Sequence, residues 1–129
     1  MSDNARWLAG MHCLILEDEF LIALDLQEIF EAAGAASVTC LANADNALQA
    51  LRDGTKFDIA VLDVHLGGAT RTSFSVAAAL AAKRTPFVFL TGMRRDTTVA
   101  SGYAHVPVLE KPYRQDLVKQ AIRDVLDPK

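Results

Sequence analysis

Histidine and cysteine are scarce in this chain, with three and two residues among 129. His12, His65 and His105 are scattered, no CxxC pair occurs, and no Cys/His cluster has zinc spacing, so the pattern offers no structural zinc site. Long apolar runs are also lacking. None nears the roughly 18 residues of a membrane span, which argues against a membrane partner. A basic excess is absent too: 13 Lys+Arg face 16 Asp+Glu, a formal net charge of −3. That removes the electrostatic footprint of a nucleic-acid binder. The N-terminus has neither the basic start nor the apolar core of a signal peptide, so a cytoplasmic protein is expected. No internal repeat, linker or low-complexity segment interrupts the chain.

What is present is apolar. Hydrophobic residues make up 51% and charged residues 22% of the chain, a composition that excludes disorder. The length corresponds to one domain with a radius of gyration of about 14 Å. Such a globule buries roughly two-thirds of its unfolded surface and needs no disulfide or metal to fold. Cys13 and Cys40 both lie in strand-like runs, and both are expected to be small buried thiols.

Apolar runs alternate with amphipathic stretches. Strands are expected over 13–16, 37–41, 57–62, 86–90 and 106–109. Ile22, Leu26, Ile29, Phe30 and Ala33 recur at helical spacing before Gly34. Asn43 suits an N-cap for a helix carrying Ala47, Leu48 and Leu51, which ends at Asp53-Gly54. A third helix is expected over 73–82. Residues 94–101 give a weak, polar helix candidate, because Thr97, Thr98 and Val99 are poor helix formers. Pro112 suits the first turn of a last helix carrying Leu117, Val118, Ala121, Ile122 and Val125. Near-continuous apolar strands imply a parallel sheet covered on both faces, and right-handed crossovers make it a doubly wound α/β domain. Residues 1–11 form an N-terminal extension, loosely held, with Trp7 and Leu8 available to pack against the body; residues 12–129 form the domain.

Ligands of open parallel sheets bind outside the carboxyl ends of the strands. Glu17, Asp18 and Glu19 follow the first strand, Asp63 the third, Thr91 and Gly92 the fourth, and Glu110, Lys111 and Pro112 the fifth. Glu17, Asp18 and Asp63 would crowd negative charge into one shallow pocket, where like charges raise at least one pKa. A hard divalent cation relieves this, and Mg²⁺ uses one or two carboxylates plus a phosphate. Lys111 supplies an opposing charge and Thr91 a hydroxyl. The combination suits transfer of a phosphoryl group onto Asp63 as nucleophile.

These residues, in the contexts LEDE, VLDVHL, FLTG and LEKPY, resemble the signature of the receiver domain of bacterial two-component response regulators. The resemblance covers residues 12 to about 126. It implies a flavodoxin-like (βα)5 fold with strand order 2-1-3-4-5. It implies Asp63 as phosphoacceptor and Mg²⁺ held by Asp18, Asp63 and the backbone carbonyl of His65, with Glu17 acting through a bound water. Thr91 would sense the phosphoryl group and Lys111 would pair with it. The implied partner is a sensor histidine kinase or a phosphotransfer protein, with a downstream protein target. The chain would be no enzyme on a separate substrate, but a phosphoacceptor that promotes its own phosphorylation and dephosphorylation. Residues 86–93, PFVFLTGM, are similar to the PFxFATGY stretch of an alphaproteobacterial subgroup that works beside kinases of the HWE class, with Leu90 and Met93 departing from it.

Two further departures matter. Val108 stands where many receivers carry an aromatic that swings inward, so the response is expected in residues 92–105 instead. Gly67-Gly68 replaces a frequent Pro-Gly and makes that loop permissive of positive φ. The chain ends after the last helix, so a stand-alone module that signals or shuttles phosphoryl groups through protein contacts is expected. Arg94, Arg95, Tyr103, Tyr113 and Arg114 are the candidate contact surface. A receiver-like module that binds without phosphorylation, and a Mg²⁺-dependent aspartyl phosphatase, are the alternatives. The phosphatase reading lacks the second acid expected two residues after its nucleophile.

Overall fold

The computed structural model describes residues 6–66, 72–92, 102–103 and 105–127. Five parallel strands form one sheet in the order β2-β1-β3-β4-β5. They are β1 (His12–Leu16), β2 (Ser37–Leu41), β3 (Ile59–Asp63), β4 (Phe87–Thr91) and β5 (Val108–Glu110). Four helices are seen among the described residues: α1 (Phe20–Ala32), α2 (Ala44–Arg52), α3 (Phe74–Ala82) and α4 (Gln115–Leu126). The expected doubly wound sheet and its strand order are therefore observed. The helix expected over 94–101 and the Gly67-Gly68 loop lie outside the described residues, as do Met93, Arg94 and Arg95.

Alternation along the central strands builds two cores. Cys13, Ile15, Ile59, Val61, Val88 and Leu90 face one side, against Leu26, Ile29 and Phe30 of α1 and Val118 and Ile122 of α4. Leu14, Leu16, Ala60, Leu62, Phe87 and Phe89 face the other, against Ala47 and Leu51 of α2 and Val76 and Leu80 of α3. Successive side chains point to opposite faces, so a strand buried on both sides reads as unbroken apolar sequence.

The helix boundaries follow local chemistry. The Asn43 side chain accepts a hydrogen bond from Asn46 N at 2.8 Å, the expected cap. Gly34 and Gly54 take φ of +90° and +91° just past α1 and α2, a conformation that glycine reaches without steric cost. Pro112 is not in the last helix. That helix starts at Gln115, after an extended Arg114, because Tyr113 is first drawn into the core that α1 and α4 share.

Three strands are displaced toward their polar ends. Asp63, Thr91 and Glu110 sit inside the ladder, whereas Phe57 and Pro86 lie before it. Ladder bonds belong to the backbone and tolerate a polar side chain. Phe57 is nonetheless buried without being in a strand. Cys40 is exposed, contrary to expectation. It lies on the edge strand β2, and its thiol donates to Gln27 Oε1 at 3.6 Å. Cys13, in the interior strand β1, is buried, and burial pushes its thiol pKa up to about 12.

Residues 6–11 are held, not loose. Leu8 is fully buried and its N–H donates to Ala33 O at 2.9 Å. Ala9 bridges Ala35. The Arg123 guanidinium lies 4.7 Å from the Trp7 ring centroid, a cation–π contact joining this segment to α4.

Candidate functional site

The carboxyl ends of parallel strands share one edge of the sheet. Leu16 pairs with Leu62, and Asp63 with Leu90. Glu17 therefore sits beside Asp63, and Thr91 lies one residue beyond its neighbour. Thr91 pairs with Glu110 across the β4–β5 ladder, and its carbonyl accepts the Lys111 N–H at 2.8 Å. That bond brings Lys111 to the same edge. Ligand oxygens of Glu17, Asp18 and Asp63 lie within 4.8 Å of one another. Glu17, Asp63 and Thr91 are buried, while Asp18 is exposed at the mouth. His65 lies two residues past β3, half-buried and bridged to Thr72.

Lys111 is the hub. Its Nζ lies 2.9 Å from Glu17 Oε1, 3.0 Å from Glu19 Oε1 and 3.2 Å from Asp63 Oδ2. The contact with Glu17 is an ion pair only, and the buried Oε1 has no hydrogen bond. Glu17 Oε2 accepts the Glu19 N–H at 3.0 Å. Burial raises the Glu17 pKa to about 7, with the Asp63 charge adding to it and Lys111 opposing it. Burial also raises that of Asp63, assisted by the Asp18 charge and opposed by Lys111. For Lys111, burial disfavours the ammonium, but its contacts with the Glu17 and Glu19 carboxylates and the Asp63 charge outweigh it and raise the pKa.

Three carboxylates are thus set around one ammonium, with one buried acceptor left unsatisfied. Oxygen donors of this kind, few and close, fit a hard divalent cation that keeps most of its own water. Glu17, Asp18 and Asp63 are the residues that could hold it.

A pH dependence follows. The folded pKa of Glu17, about 7, lies above its ordinary 4.5. Its contribution to stability is therefore fully present below pH 4.5 and is lost as pH rises through about 7. Asp63 acts in the same direction. In chelator, the thermal midpoint of the protein should fall between pH 5 and pH 8, and Glu17→Gln should flatten that fall. A midpoint rising with pH in wild type, or an equal slope in the variant, would contradict the assignment.

Two features were not legible in the sequence. The first is the Glu19–Lys111 contact. The second is a brace on the segment carrying Lys111: Tyr113 Oη donates to Asp25 Oδ2 at 2.6 Å, and Gln115 Nε2 to Asp25 Oδ1 at 2.7 Å. Burial, then this bond and the Asp25 charge, raise the Tyr113 pKa. Tyr103 is half-buried, its ring packing on Phe74, Phe87 and Phe89. Arg114 pairs with Asp116 at 2.8 Å on the exposed surface. Val108 is 41% exposed on the edge strand β5.

No family model matches the chain, and no curated protein matches it. Solved structures do. A response regulator receiver protein from Sinorhizobium medicae WSM419 is 24% identical with a TM-score of 0.82, covering 92% of this chain and 96% of that one. The signal receiver domain of a modulated diguanylate cyclase from Desulfovibrio desulfuricans G20 is 28% identical with a TM-score of 0.75, covering 91% and 94%. SdrG from Pseudomonas melonis Fr1, in its BeF3-activated conformation, is 39% identical with a TM-score of 0.74, covering 92% and 98%.

Proposed function

We infer function from one premise: the chain belongs to the receiver family of response regulators. Within it, Asp63 accepts a phosphoryl group from a phosphohistidine of a sensor kinase or phosphotransfer protein in the cytoplasm. The observation that carries this reading is the buried Asp63 carboxylate, 3.2 Å from Lys111 Nζ and grouped with Glu17 and Asp18. A buried carboxylate beside an ammonium is a nucleophile whose product charge has a partner already in place.

In the transfer an Asp63 oxygen attacks phosphorus. The new P–O bond forms as the P–N bond breaks, and its electron pair leaves with the imidazole. Lys111 is placed to pair with a phosphoryl oxygen, and Thr91 to offer its hydroxyl. Mg²⁺, held by Glu17, Asp18, Asp63 and the His65 carbonyl, would neutralise charge on the transferred group. The donor protein docks at the rim. Phe20, Leu21 and Leu24, all exposed, share one arc of α1, which begins directly after the acidic triplet. Such a cluster of large apolar side chains is typical of an interaction surface.

The product is a phosphorylated surface read by another protein or drained by a second transfer. With Mg²⁺ and a small phosphodonor, intact-mass measurement should show one added phosphoryl group, labile to base. A mass unchanged after prolonged incubation with donor and metal would overturn this reading.

A further inference from the structure

Lys111 Nζ donates hydrogen bonds to Glu19 and Asp63 and is ion-paired with Glu17, so three carboxylates already surround the ammonium before any phosphoryl group arrives. Of the three partners, Glu17 and Asp63 are buried and form the floor of the pocket. The Glu19 side chain is 61% exposed. Its backbone is nonetheless anchored, with its N–H bound to Glu17 Oε2 at 3.0 Å and its carbonyl accepting from Ala23 N at 3.0 Å, at the start of α1. Glu19 is a movable carboxylate on a fixed root, reaching across the mouth to Nζ.

We propose that Glu19 is a positioning residue that holds the Lys111 ammonium, so that an incoming phosphoryl oxygen has to displace the Glu19 carboxylate before it can pair with Nζ. The proposal rests on the phosphoacceptor reading of Asp63 and adds to it a competitor built into the chain. Because Glu19 is exposed, its pair with Lys111 is individually weak, and its loss changes anion affinity by a modest factor.

The test is calorimetric titration of Mg²⁺-loaded protein with beryllofluoride, for wild type, Glu19→Gln and Glu19→Asp. Glutamine removes the charge and the contact. Aspartate keeps the charge but is one methylene too short to reach an Nζ held between Glu17 and Asp63. At a helix start it also turns to the backbone N–H groups of the first turn. Both variants should bind beryllofluoride about two- to fivefold more tightly than wild type, with thermal midpoints unchanged. If only Glu19→Gln tightens binding, the effect is general charge repulsion and the proposal fails. Unchanged affinity in both variants also overturns it. If wild type itself neither binds the anion nor takes up phosphoryl from a small donor, the reading of Asp63 is what has failed.

Discussion

Asp63→Asn is expected to abolish phosphorylation while leaving the fold intact. Asparagine keeps the shape of the side chain and an oxygen able to accept from Lys111, but it offers no anionic nucleophile. The label gained from a small phosphodonor and Mg²⁺ should fall by at least about 10³-fold, at the modest end of what loss of a nucleophile costs. The fold has reason to tolerate the change. Asp63 lies among Glu17 and Asp18, and burial and the Asp18 charge already raise its pKa. Removing one charge relieves repulsion, while Lys111 keeps Glu17 and Glu19 as partners. The thermal midpoint in chelator should hold or rise. Intact mass and a melting curve on the same sample check both halves. A variant labelled as fully as wild type would mean that another side chain is the acceptor.

Phe89→Ala is expected to be the most damaging single truncation on the α2–α3 side of the sheet. Phe89 is fully buried in the interior strand β4. Its ring centroid lies 5.4 Å from those of Phe87 and Tyr103 and 6.0 Å from that of Phe74. Truncation leaves a cavity that three other rings, fixed on separate elements, cannot all close around, and should cost about 3–5 kcal/mol. Against a total stability of about 5–15 kcal/mol, that is a large fraction. Phe89→Leu, which keeps most of the volume, should cost less than about 1.5 kcal/mol. Urea unfolding of the three proteins decides the matter. A loss below about 1 kcal/mol for Phe89→Ala would show that the cluster does not act as a packed unit.

The convergence of Glu17, Asp18, Asp63, Thr91 and Lys111 was legible because strand ends are punctuated in the sequence and a parallel sheet gathers them at one edge. Topology alone carries that inference, with no knowledge of any side-chain angle. The contacts that remained hidden depend on such angles. Glu19 stands in the same acidic run as Asp18, yet only the start of α1 turns it toward a lysine 92 residues away. Nothing in the sequence distinguishes Asp25 from other acids of an amphipathic helix, and only the phase of α1 sets it opposite Tyr113 and Gln115. Cys40 was misread for the converse reason. Its run is as apolar as its neighbours, but the strand order leaves β2 without a partner on one side. Position in the sheet is not written in the composition of one strand.

The packing of Trp7 against Arg123 has an optical consequence. Trp7 is the single tryptophan, and it precedes β1, whereas the acidic pocket follows the other ends of the strands. Its emission therefore reports on the amino-terminal segment and the last turns of α4. Quenching by a chemical event at Asp63 would have to be relayed through the length of the sheet. Intrinsic fluorescence of this chain is a gauge of whether that segment stays docked, and a reporter of pocket occupancy has to be installed at the opposite edge.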